Sequence, residues 1–174
     1  MCIFVILLVI LVVATIMDLC FDKIYNEWIL VGIVTGLVCA VWQNGEKGFF
    51  PAVISMTIPI FLLYPLFMIG CLGAGDIKLL AVVGCFLTIE ETVMCLGISF
   101  LIGAVLSLLK MFAKRNFLQR MRYLLSYVLD VFQSGEWKFY EEDIKDRKKK
   151  QEGKIHFALP ILLGVLLYEG GLYW

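Results

Sequence analysis

Long apolar runs dictate what this chain can become. Six can be marked in its 174 residues: 2–17, 28–42, 49–69, 77–89, 92–111 and 155–174. A helix needs about 20 predominantly apolar residues to cross a hydrocarbon core about 30 Å thick. Six runs near that length leave too little polar sequence to cover a water-soluble core. The 61% hydrophobic content agrees, since soluble domains hold roughly 45–50%. The expected fold is therefore all-α, a polytopic membrane bundle of about six transmembrane helices forming one domain over residues 1–174. Runs 2–17, 28–42 and 77–89 are short for a span. Each can extend (to Leu19, back to Ile24 and back to Leu72), or be sheathed by neighbouring helices so that protein satisfies its ends. The N-terminus has no basic segment and no small-x-small cleavage site, which predicts a retained first span.

Charge orients the bundle. Net charge is zero, yet of the fifteen Lys and Arg only Lys23, Lys47 and Lys78 lie outside residues 110–154. A globally basic nucleic-acid binder is excluded by this balance. Basic loops stay in the cytoplasm, so residues 110–154 are expected inside. Working back span by span puts Glu90 and Glu91 outside, 73–78 inside, 44–47 outside, 18–27 inside, and both the N-terminus and Trp174 outside. Asp18 and Asp76 then fall at the same membrane depth, at cytoplasmic ends of spans.

The loop carries its own pattern. Phe117, Met121, Leu124, Leu125, Val128 and Phe132 recur at helical spacing, with Gln119, Arg120 and Arg122 off the stripe. This predicts a cytoplasmic amphipathic helix before the last span, lying on the inner leaflet or packed over the bundle. The Lys148-Lys149-Lys150 run that follows reads as a solvated linker favouring anionic lipid. The cysteines (Cys2, Cys20, Cys39, Cys71, Cys85 and Cys95) form no Cys-x-x-Cys pair and suggest neither zinc nor a disulfide framework.

Acidic groups near a membrane core cost about 2.5–3.5 kcal/mol at the centre, which singles out Asp76 in Gly73-Ala74-Gly75-Asp76. Gly73 and Gly75 lack side-chain bulk, so a neighbouring helix or an extended peptide can approach the carboxylate. Asp76 can equally cap a helix beginning at Ile77. Lys78 either biases the charge of Asp76 or anchors the span inside. Asp18 ends the first run, and Asp22 lies one helical turn on, where it faces water or pairs with Lys23. Two carboxylates from different helices at one depth can share a proton. One then acts as general base on water while the other polarises a carbonyl. Such chemistry needs no metal, cofactor or nucleophilic side chain. The lone His156 reads as a packing or interfacial residue.

Gly73-Ala74-Gly75-Asp76-Ile77-Lys78-Leu79 resembles the Gly-x-Gly-Asp-x-Lys-Leu signature of the type IV prepilin peptidases, membrane aspartyl proteases. Asp18-Leu19-Cys20-Phe21-Asp22-Lys23-Ile24-Tyr25-Asn26 is similar to the family's other motif, an Asp followed by a basic residue and Ile-Pro-Asn, with Tyr25 in place of Pro. Ile155-His156-Phe157-Ala158-Leu159-Pro160 echoes a third pattern, Ile-Pro-Phe-Ala-Pro, with its prolines displaced or replaced. The chain looks like the short, peptidase-only form, without the Cys-x-x-Cys loop and methyltransferase activity of longer members. The resemblance implies catalytic Asp18 and Asp76, with Gly73, Gly75 and Lys78 as supporting motif residues. It implies removal of the basic leader from prepilin-like precursors at the cytoplasmic face of a prokaryotic plasma membrane. The alternative from the residues alone is a small proton- or cation-coupled transporter subunit using the same aspartates.

Overall fold

The computed structural model describes residues 2–68, 72–113 and 156–170, all of it helix, turn or connecting segment with no strand among the described residues. The helices are α1 (Cys2–Phe21), α2 (Asn26–Asn44), α3 (Phe49–Met68), α4 (Ala74–Phe86), α5 (Ile89–Ala113) and α6 (Ala158–Glu169). A short 3-10 turn, Gly45–Gly48, joins α2 to α3. Two compact units are distinguished: Met1–Gly103 with His156–Trp174, and Ala104–Ile155. The described part of the second unit is the end of α5. The amphipathic helix expected in the basic loop lies outside the described residues.

Three stretches are long and apolar enough to cross a membrane: Cys2–Phe21, Asn26–Met68 and Ile89–Lys110. The middle one holds two helices. Gly45 adopts φ 63°, a left-handed conformation that suits glycine, and Gly48 sits so close to the Ala40 carbonyl that a side chain there would collide with it. The chain thus reverses between α2 and α3, which pack on one another. The outward faces are apolar: Phe61 is 80% exposed and Leu101 70%. Large apolar groups displayed this densely suit lipid rather than water.

The centre belongs to the shortest internal helix. α4 has 13 residues, and Ile77, Leu79, Leu80, Ala81, Val82, Val83, Gly84 and Cys85 are all buried. At about 1.5 Å per residue it spans roughly 20 Å, too little to cross alone, and α1, α2, α3 and α6 all pack against it. Small residues permit this. A Cβ at Gly36 would lie 2.5 Å from Cys85 Cβ, one at Gly32 2.8 Å from Val82 Cγ1, and one at Gly84 2.5 Å from the Ser55 carbonyl. Such close backbone approach is how helices associate where no hydrophobic drive separates them from lipid.

Polar groups within the bundle are satisfied locally. The Trp28 indole donates to the Ile10 carbonyl at 3.1 Å. Ser55 Oγ donates to the Leu87 carbonyl at 3.0 Å and lies 2.8 Å from Thr92 Oγ1, closing one end of α3 onto the α4–α5 connection. That connection is a reciprocal cap: the Thr88 amide donates to Glu91 Oε2 at 2.8 Å and the Glu91 amide to Thr88 Oγ1 at 3.5 Å. Two of the free donors at the start of α5 are thereby used.

Candidate active site

Asp18 belongs to a stripe. Leu7, Leu11, Ala14, Thr15 and Asp18 are the buried face of α1, with Ile10 beside them, at the three- and four-residue spacing that aligns side chains on a helix. An aspartate on that face is carried inward by its apolar neighbours. It is 6% exposed. After Phe21 the helix stops, and Asp22 takes φ 55° while its amide donates to the Asp18 carbonyl at 3.0 Å. This is a left-handed helix end, where glycine or asparagine is usual.

Asp76 is held differently. Of the readings the sequence left open, a cap at Asp76 before Ile77 is not the one adopted; α4 starts at Ala74, with Gly73 as an extended N-cap at φ −76°, ψ 145°. Asp76 thus sits in the first helical turn. Its amide donates to the Gly73 carbonyl at 3.2 Å, and its side chain turns back so that a Cβ at residue 73 would lie 3.0 Å from Oδ2. A first-turn carboxylate is favoured by the amide groups that lack intrahelical partners. Asp76 is half-buried.

Two contacts fasten the segments bearing these carboxylates. Ile24, 7% exposed in the α1–α2 connection, packs beside Gly75, where an added Cβ would stand 3.7 Å from the Ile24 side chain. Lys78 Nζ donates to Asn26 Oδ1 at 2.8 Å. Lys78 therefore ties the start of α4 to the start of α2. The two glycines also separate in role. Gly73 leaves room for the Asp76 carboxylate, whereas a methyl group on Gly75 would make only ordinary contact.

His156, read from sequence as a packing or interfacial residue, is part of this cluster. Its Nδ1 lies 3.4 Å from Asp18 Oδ2 and its Nε2 lies 3.8 Å from Asp22 Oδ1. No local spacing could have joined residues so far apart in the chain. The available sign was that His156 occupies a place where the third pattern carries Pro. Among the described residues, no group of three or more His, Cys, Asp or Glu is arranged to hold a metal.

The arrangement offers a buried carboxylate, a second carboxylate in a helix's first turn, and two contacts linking their segments. The sequence model of the type IV leader peptidase family matches residues 5–108, a stretch that contains Asp18, Asp22, Asp76 and Lys78 and ends before His156. No curated protein and no solved structure gives a significant match.

Proposed function

Because the chain belongs to the type IV leader peptidase family, we propose that it is a membrane aspartyl endopeptidase that cuts the basic leader from prepilin-like precursors, with Asp18 and Asp76 as its catalytic pair. The observation that carries this reading is the double clasp, Ile24 against Gly75 and Lys78 on Asn26, which links the two aspartate-bearing segments at one end of the first unit. In the reaction the pair shares one proton. The ionised carboxylate takes a proton from water as the water oxygen attacks the scissile carbonyl carbon, and the protonated partner gives its proton to the carbonyl oxygen. Collapse of the tetrahedral intermediate breaks the C–N bond, with the proton held by the first carboxylate passing to the departing amine and a proton of the gem-diol returning to the second carboxylate, which restores the pair.

Gly75 supports an extended substrate. Its conformation and surroundings do not demand glycine, so the missing side chain serves approach from outside the fold. In the membrane, α1, α2, α3 and α5 act as full spans, with α4 and α6 completing the set of six as helices sheathed by their neighbours. The basic loop places the aspartates at the cytoplasmic face, where leaders emerge from the ribosome.

Co-expression with prepilin-like precursors, read as a loss of leader mass, tests the proposal. Asp18→Asn and Asp76→Asn should each reduce cleavage by at least about a hundredfold while the protein still accumulates in the membrane. Cleavage surviving either change removes that aspartate from the pair. Proton flux into liposomes without any cleavage would favour a transporter instead.

A further inference from the structure

We propose that His156 is a positioning residue for Asp18 and is itself steadied by Asp22; the inference rests on the leader-peptidase reading of Asp18. Three observations carry it.

The first is the unsatisfied pair. Asp18 Oδ2 and His156 Nδ1 are both buried and make no hydrogen bond among the described residues, yet they lie only 3.4 Å apart. A carboxylate oxygen taken out of water needs a donor. The imidazole is near enough to supply one once its ring turns toward the carboxylate. Engaging Oδ2 leaves the other oxygen of Asp18 for the shared proton and the attacking water.

The second is how firmly His156 is placed. Phe157, the next residue, packs its ring 5.1 Å from that of Phe100 and fills the space left by Gly103, where a Cβ would lie 2.6 Å from Phe157 Cε2. Ala158 is fully buried, and Thr15 Oγ1, which donates to the Leu11 carbonyl at 2.7 Å, also lies 3.4 Å from the Ala158 carbonyl. Thr15 and Asp18 lie three apart on one face of α1, so the start of α6 is pinned one turn from the carboxylate. The imidazole therefore precedes a closely packed corner at the start of α6.

The third is Asp22. A non-glycine residue at positive φ carries a conformational cost that the surrounding structure must offset. Glycine would fill this helix end with less strain, but would remove the carboxylate that faces Nε2 at 3.8 Å. A carboxylate oxygen thus lies near each ring nitrogen, at 3.4 and 3.8 Å.

Steady-state cleavage of a purified prepilin-like substrate tests this. His156→Ala should lower kcat by about 10–100-fold, the usual effect of losing a group that orients a functional side chain, with KM changed less than about twofold. Added imidazole should restore part of that kcat at constant protein amount. His156→Pro, which installs the residue of the family pattern, should behave like His156→Ala; a merely structural corner would keep its activity. Asp22→Gly, which relieves the strain at that residue, should still lower kcat severalfold, and its effect should vanish in the His156→Ala background. Unchanged kcat in both His156 variants, or a loss that imidazole does not relieve, overturns the inference. Cleavage abolished by Asp18→Asn but normal in His156→Ala removes this inference alone, whereas cleavage surviving Asp18→Asn removes Asp18 from the catalytic pair, the reading on which the inference rests.

Discussion

At the scale of single residues, identical side chains do different work according to what surrounds them. Gly73 and Gly75 look equivalent in sequence. In the fold, a Cβ on Gly73 would press on Asp76 Oδ2 at 3.0 Å, while one on Gly75 would rest at ordinary distance from Ile24. Gly73→Ala should therefore push the carboxylate aside by a few tenths of an ångström and reduce leader cleavage by about tenfold, less than the hundredfold that goes with a misplacement of about 1 Å. Gly75→Ala should leave membrane accumulation and the thermal midpoint unaltered, because glycine in a helix is no better than alanine, and yet reduce cleavage by obstructing the substrate backbone. Wild-type turnover in Gly75→Ala would show that no substrate approaches there. The aspartates differ in the same manner. Asp18 is buried because apolar neighbours on its face of α1 carry it inward; Asp76 is half-buried because it lies at a helix start.

Among the elements, α4 governs the packing. Its near-continuous apolar sequence, from Ile77 to Cys85, contains no strong helical stripe because several helices cover it at once. That also explains why it needs no more than 13 residues: its ends meet protein. The cost is a demand for small residues on its partners. Gly36→Ala places a Cβ 2.5 Å from Cys85 Cβ, an atom with no freedom to rotate away. This overpacking should destabilise the bundle by about 1–3 kcal/mol, measured as a lower unfolding midpoint in detergent, with Gly97→Ala as the control since nothing lies within 4 Å of a Cβ there. An unchanged midpoint for Gly36→Ala would mean that α2 can slide away from α4 freely. At the start of α4 the sequence left two readings open. Aspartate is a preferred N-cap, which allowed Ile77 as the first helical residue, while the run could also extend back to Leu72. Gly73 takes the extended cap instead, and Asp76 moves into the first turn, where a carboxylate is also favoured.

For the whole molecule, the first unit has two distinct ends. Asp18, Asp22, Ile24, Asn26, Gly75, Lys78 and His156 gather at one through the contacts described. At the other, a cavity of about 580 Å³ is lined by residues including Ile3, Asn44, Gly48, Leu87 and Glu90. Alternating spans require this separation. With the native cysteines replaced, single cysteines at positions 45 and 140 should react with membrane-impermeant reagents from opposite sides of the membrane, position 140 from the cytoplasm. Labelling of both from one side would break the proposed orientation.

The apolar runs by themselves determined that the chain is helical and suited to a membrane, since burying hydrocarbon depends on composition and length more than on partners. The helix bounds fell within a few residues of the runs for the same reason. The motifs around Asp18 and Asp76 were legible because their residue types are costly in apolar surroundings and stand out against them. Contacts at long sequence separation were not legible. The packing of Ile24 against Gly75, the hydrogen bond from Lys78 to Asn26, and above all the placing of His156 between Asp18 and Asp22 were decided by tertiary structure. A lone histidine at the start of an apolar run has no neighbours in sequence that reveal its partners; it acquires them only when α6 packs along α1.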